Sequence, residues 1–107
     1  MDKKILLVDD AAFMRMMIKD ALTKNGYTQI IEAADGEQAC VQYAAEKPDL
    51  VIMDITMPNK TGIEALRDIK ATNPAAKIVM CSAMGQESMV VEAIKLGALD
   101  FIVKPFK

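Results

Sequence analysis

Residues 49–58 read Asp-Leu-Val-Ile-Met-Asp-Ile-Thr-Met-Pro. Leu50, Val51, Ile52 and Met53 form an unbroken apolar run, the pattern of a strand covered on both faces, whereas a half-wet strand would alternate. The run closes on Asp54. Open α/β sheets gather their ligands at the carboxyl ends of the strands, so an acid placed there is a candidate site residue. From this strand alone, an acid that merely begins the polar turn before Met57-Pro58 reads equally well.

The same design recurs on either side. Residues 4–9 give a first strand, in which Ile5-Leu6-Leu7-Val8 runs into Asp9-Asp10. The period then changes: Phe13, Met17 and Ala21, beside Met14, Ile18 and Leu22, draw a broad apolar stripe for a helix packed on a sheet. Asn25-Gly26 stops it, with Gly26 suited to a left-handed cap. A weaker strand over 27–33, interrupted by Gln29 and Glu32, is expected at an edge. Asp35 and Gln38 form a capping pair for a helix through Ala39, Val41 and Tyr43, which Pro48 prevents from continuing.

Past the 49–54 strand, Pro58, Asn59 and Lys60 make a turn. Thr61 and Glu64 form a capping box for a helix carrying Ile63, Leu66 and Ile69, halted at Asn73-Pro74. Residues 77–81 give a fourth strand with Ser82 at its end. A helix over about 86–96, bearing Met89, Ala93 and Leu96 with Val90 and Ile94, is capped by Gly97. A fifth strand over 100–103 ends in Lys104-Pro105. Strict alternation of strands and helices with short links predicts a right-handed, doubly wound parallel sheet with both faces covered.

At 107 residues the chain has room for one domain, and no repeat or linker divides it. Its 52% hydrophobic and 26% charged residues are those of a globular protein. A net charge of −2 with scattered Lys and Arg offers no footprint for nucleic acid or an anionic membrane. The first apolar run is too short for a signal peptide or a spanning helix, which makes the cytoplasm the expected location. Cys40 and Cys81 lie far apart and the chain has no histidine, so a zinc site or a Cys-His nucleophile lacks material and reduced, packed thiols are expected. The nine methionines read as flexible core filler.

Parallel strands converge their carboxyl ends on one edge, which here collects Asp9, Asp10, Asp54, Ser82 and Lys104. Singly, Asp9 and Asp10 suit helix N-caps, Ser82 a turn and Lys104 a solvated strand end. Together they make a site, because three adjacent acids repel one another unless a cation offsets them. Hard carboxylate oxygens without sulfur or imidazole favour Mg²⁺.

The Asp9-Asp10 pair, Asp54 followed by Met57-Pro58 and Gly62, Ser82-Ala83, and Lys104-Pro105 together resemble the motif set of the two-component response-regulator receiver domain, most closely its single-domain chemotaxis members. The likeness runs over residues 4–106. It implies a flavodoxin-like five-stranded sheet in order 2-1-3-4-5, and a signalling switch that catalyses only its own phosphorylation and dephosphorylation. By that resemblance Asp54 accepts a phosphoryl group from a sensor histidine kinase. Asp10, Asp54 and the Thr56 backbone carbonyl would ligate Mg²⁺, for which Mn²⁺ could substitute, with Asp9 helping through water. Lys104 would pair with the phosphoryl oxygens, Ser82 would donate its hydroxyl, and Ala83 would leave space beside the site. Phe101 stands where a switch aromatic, commonly tyrosine, is found; a steric rotamer response and a static core phenylalanine are both open. Lys104-Pro105 would be cis.

The implied partners are the kinase, an output target such as a flagellar motor switch protein, and a phosphatase. Receivers carry a fifth helix after the lysine-proline strand, and this chain stops at Lys107 without one. A single receiver domain over 1–107, truncated after the fifth strand, is therefore expected to expose apolar surface on its fourth and fifth strands, and either to lose stability or to self-associate. The alternatives are a receiver cut from a multidomain regulator, such as a transcription factor or methylesterase, and a pseudo-receiver that only binds a partner. A haloacid-dehalogenase-type phosphatase is disfavoured because its first-strand acids are separated by one residue. A flavin carrier is disfavoured because Asp10-Ala11-Ala12 is no phosphate loop.

Overall fold

The computed structural model describes residues 3–83 and 85–103. Five strands alternate with four helices: β1 (Lys4–Val8), α1 (Ala12–Lys24), β2 (Gln29–Ala33), α2 (Gly36–Glu46), β3 (Leu50–Asp54), α3 (Gly62–Thr72), β4 (Ile78–Ser82), α4 (Glu87–Lys95) and β5 (Asp100–Val103). The sheet is parallel throughout, in order β2-β1-β3-β4-β5. This is the doubly wound, flavodoxin-like arrangement that the alternating pattern predicts, with β2 at an edge.

The apolar strands split their side chains between two layers, as period-2 geometry requires. Leu6, Val8, Val51, Met53, Ile78 and Met80 join Ile63, Leu66 and Ile69 of α3 and Ala39 of α2 in the larger core. Ile5, Leu7, Ile52 and Cys81 form a smaller core, against which Ile18 and Leu22 of α1 pack. Burial of this many branched side chains, at about 25 cal/mol per Å² of apolar surface, is the principal force holding β3 rigid.

The starts of α2 and α3 follow their caps. Thr61 Oγ1 accepts the Glu64 N–H while the Glu64 carboxylate accepts the Thr61 N–H, so the capping box is present; those bonds from Thr61 hold the Glu64 carboxyl below its ordinary value. Asp35 accepts the Gln38 N–H at 2.8 Å, and the Gln38 side chain reaches past the cap to the Ala34 N–H. Glycines mark two close approaches of backbone to backbone. A Cβ on Gly62 would lie 2.0 Å from the Asp54 carbonyl oxygen, and one on Gly36 would lie 2.3 Å from the Lys60 carbonyl oxygen.

Three expectations are corrected. The α1 stripe does not bury as a whole: Ile18 and Leu22 meet the sheet, but Phe13 is 65% exposed and Met16 and Met17 are also exposed. α1 meets the sheet chiefly at β1, so only the face that carries Ile18 and Leu22 is covered. Coverage of both faces holds for β1, β3 and β4 but not for β5, whose four residues are all exposed. β4 was expected to share that exposure and is buried except at half-buried Val79, because Ile78 and Met80 pack in the larger core and Cys81 in the smaller one. Among the described residues, no helix is long and apolar enough to cross a membrane.

Candidate functional site

Three strand ends build one acidic corner. Asp9 follows β1, Asp54 is the last residue of β3, and these strands are hydrogen-bonded neighbours. One carboxylate oxygen from each of Asp9, Asp10 and Asp54 lies within 4.8 Å of the others. Asp9 and Asp54 are 3% and 8% exposed, whereas Asp10 is exposed, which leaves the cluster open to solvent on one side.

Backbone contacts fix each of these segments. Asp9 N–H donates to the Ala33 carbonyl at 3.2 Å, and Asp9 Oδ1 accepts the Ala11 N–H at 2.9 Å, an Asx-type turn that steers the chain from β1 into α1. The N-cap of α1 is Ala11, so neither Asp9 nor Asp10 is the helix cap that each suggested singly. Arg15 reaches back from α1 to donate to the Asp9 carbonyl at 2.5 Å, and its Nε pairs with Glu32 at 2.9 Å. Beyond Asp54, Ile55 N–H donates to the Cys81 carbonyl at 3.0 Å and Gly62 N–H donates to the Ile55 carbonyl at 2.8 Å. The segment bearing Thr56 is thus tied down on both sides, and only a glycine at position 62 permits so close an approach to Asp54.

Ser82 ends β4 inside the strand and is 1% exposed, so it is no solvent-side turn former. Asp54 pairs in register with Cys81, one residue before Ser82, which sets Ser82 next to the acid's strand end. Ala83 follows and is exposed. Phe101 of β5 lies opposite Met80 of β4 and is 42% exposed, so it is not a core side chain. It lines a groove of about 740 Å³ between α4 and β5, with Val90, Ile94 and Val103. Lys104 and Pro105, expected as the phosphoryl-pairing lysine and a cis bond, lie outside the described residues.

Three residues that the sequence pattern did not single out also support the site. Asn59, in the left-handed region at φ 66°, donates from Nδ2 to Asp35 Oδ2 at 2.8 Å, and Gly36 N–H donates to the Lys60 carbonyl at 3.0 Å. The N-terminus of α2 therefore clamps the loop after β3. Bonds from the Gln38 N–H and the Asn59 amide hold the Asp35 carboxyl below its ordinary value, keeping it ionised as a clamp. Arg15 and Gln86 are the others. Their roles depend on long side chains crossing between segments, for which no local spacing is a signal. Cys40 has its thiol pushed up by burial, in keeping with a packed, unreactive cysteine.

The comparisons with known proteins agree with this geometry. A family model for the response regulator receiver domain matches residues 5–107. The chain belongs to the response regulator receiver domain family. This receiver is 61% identical over 107 residues to the chemotaxis protein CheY of Bacillus subtilis, and 59% identical over 107 residues to CheY of Thermotoga maritima, covering all of this chain and 89% of each relative. A chain in the crystal structure of the CheX–CheY–BeF3–Mg²⁺ complex from Borrelia burgdorferi superposes with a TM-score of 0.93 at 37% identity, over 98% of the receiver and 80% of that chain. NtrX of Brucella abortus superposes with a TM-score of 0.92 at 35% identity, but the receiver spans only 24% of that longer protein.

Proposed function

We propose that this receiver domain accepts a phosphoryl group from the phosphohistidine of a sensor histidine kinase onto Asp54, in a Mg²⁺-dependent reaction, and switches conformation to control a partner such as a flagellar motor switch protein. The observation that carries the proposal is the convergence of Asp9, Asp10 and Asp54 beside the buried Ser82. Kinship with chemotaxis CheY proteins at up to 61% identity supports the chemotaxis output.

In the transfer, an Asp54 carboxylate oxygen forms the new O–P bond as the N–P bond of the phosphohistidine breaks, and the donor nitrogen keeps the electron pair and takes a proton. Such transfer requires positioning and electrostatic relief more than covalent chemistry. The donor set fits a hard divalent cation, since it is three carboxylates without thiolate or imidazole. Asp10 and Asp54 with the Thr56 carbonyl would hold Mg²⁺ or Mn²⁺, and Asp9 would act through water. Bound there, the ion supplies positive charge against the equatorial phosphoryl oxygens. Rigid β3 holds Asp54 still, and by family resemblance Lys104 pairs with the phosphoryl oxygens.

The acyl phosphate replaces the single charge of the Asp54 carboxylate with about −2, borne by three strong acceptors, in an acidic corner. Ser82 gains a charge-assisted hydrogen bond by moving toward it, and Phe101, half-exposed in its groove, answers with a steric change of rotamer. The domain acts on no separate substrate; it catalyses its own phosphorylation and dephosphorylation, the latter hastened by a partner phosphatase. A second reading, the receiver module of a larger regulator such as a transcription factor or methylesterase, is favoured by the match to about a quarter of NtrX. Incubation with radiolabelled acetyl phosphate and Mg²⁺ tests the proposal: wild type is expected to take label and Asp54→Asn to take none, and equal labelling of the two would overturn the assignment of Asp54.

A further inference from the structure

Gln86 is the N-cap of α4, yet its side chain makes no capping bond to the backbone of the helix it opens. The amide turns back toward the site instead. Oε1 accepts the Ala83 N–H at 2.6 Å, and Nε2 donates to Thr56 Oγ1 at 2.8 Å, with Met89 Sδ at 3.9 Å from the same nitrogen. Ala83 directly follows Ser82, and Thr56 stands two residues beyond Asp54. One side chain therefore fastens the segment after β4 to the segment after β3, and ties both to the first turn of α4.

We propose that Gln86 is a positioning residue: a latch that holds the Ser82-Ala83 segment in its resting place and must release Ala83 before that segment can close on the phosphoryl group arriving at Asp54. The proposal rests on Asp54 being the acceptor. An amide pinned at both ends gives up rotamer freedom, and its two bonds must outweigh that loss for the arrangement to persist. Motion of Ser82 toward the end of β3 carries Ala83 with it and breaks the bond to Oε1. A phosphoryl group on the adjoining strand end brings charged oxygens, which are stronger acceptors than a neutral amide and compete for the Ala83 N–H that Gln86 now occupies. Release at Ala83 also frees the start of α4, one wall of the groove that Phe101 lines. Gln86 thereby couples the chemistry of the corner to the shape of that groove.

The experiment compares wild type, Gln86→Ala, Thr56→Val and the double variant in two measurements. With acetyl phosphate and Mg²⁺, Gln86→Ala is expected to take label about three- to tenfold faster, the loss of a bond or two that must otherwise break first. Thr56→Val keeps its backbone carbonyl and cuts only one end of the latch, so it should fall between, and the double variant should be no faster than Gln86→Ala alone. Amide exchange at Ala83, followed by NMR without any phosphodonor, should speed up in Gln86→Ala while the thermal midpoint stays put. If Gln86→Ala melts early, Thr56→Val, which leaves the cap of α4 in place, decides the matter. Labelling of Gln86→Ala at or below the wild-type rate overturns the latch and leaves Asp54 as acceptor. A chain that takes no label, but loses Ala83 protection in Gln86→Ala, keeps the tether as a structural fact and sinks both the acceptor reading and the latch.

Discussion

Asp10 is the exposed member of three carboxylates whose oxygens lie within 4.8 Å of one another. Like charges at that spacing repel by about 1 kcal/mol per pair even at the screening of water. Asp10→Asn should therefore melt a few degrees above wild type in the presence of a chelator. At millimolar Mg²⁺ the order should reverse, because the wild-type chain alone gains the full stabilisation of binding. Differential scanning calorimetry with and without Mg²⁺ checks this, and melting curves that keep the same order in both conditions would count against a metal site at these acids. Asp9, Asp10, Asp54 and Ser82 were legible in the sequence because each ends an apolar run, and strand ends of a parallel sheet share an edge. Gln86, Arg15 and Asn59 were not, since their bonds span segments that only the fold brings together.

At the level of elements, the helix that follows Asp54 is set by two adjacent residues with different physics. Thr61 contributes a cap, whose removal costs about 1 kcal/mol, or about 5 °C in a domain of this size. Gly62 contributes an absence: a methyl there would lie 2.0 Å from the Asp54 carbonyl, so α3 and the end of β3 would have to part. Gly62→Ala is expected to cost more than about 3 kcal/mol and Thr61→Ala about 1, as measured by urea unfolding. Equal costs for the two would mean that the loop after β3 yields more easily than its bonds to Ile55 and Cys81 imply. The capping box at Thr61 and Glu64 was plain from spacing alone. The close approach at Gly62 was not, because a glycine after a threonine reads as an ordinary helix start.

Across the whole molecule, stability is graded from the middle of the sheet outward. β1 and β3 are buried on both layers, while every residue of β5 is exposed. Opening free energies follow burial, so hydrogen exchange should find the Ile102 amide at least about tenfold less protected than that of Val51. Comparable protection would show β5 to be as firmly held as the centre. Apolar runs announced four of the strands, and a weaker, interrupted pattern announced β2, but an apolar sequence reports only the wish to be covered; the layer that covers it is a property of the assembled fold. The same gap explains α1, whose stripe was read as packed and whose Phe13 stands in solvent.

Parallel pairing has a consequence for how such a chain can be assayed. β1, β3 and β4 are neighbours in space but are separated in sequence by whole helices, so Asp9, Asp54 and Ser82 meet only once the three intervening crossovers are complete. A fragment that lacks β3 or β4 would not bring Asp54 and Ser82 together beside Asp9. An acyl phosphate on Asp54 would then count correctly assembled molecules: the stoichiometry of label in a crude preparation would be a census of its folded fraction.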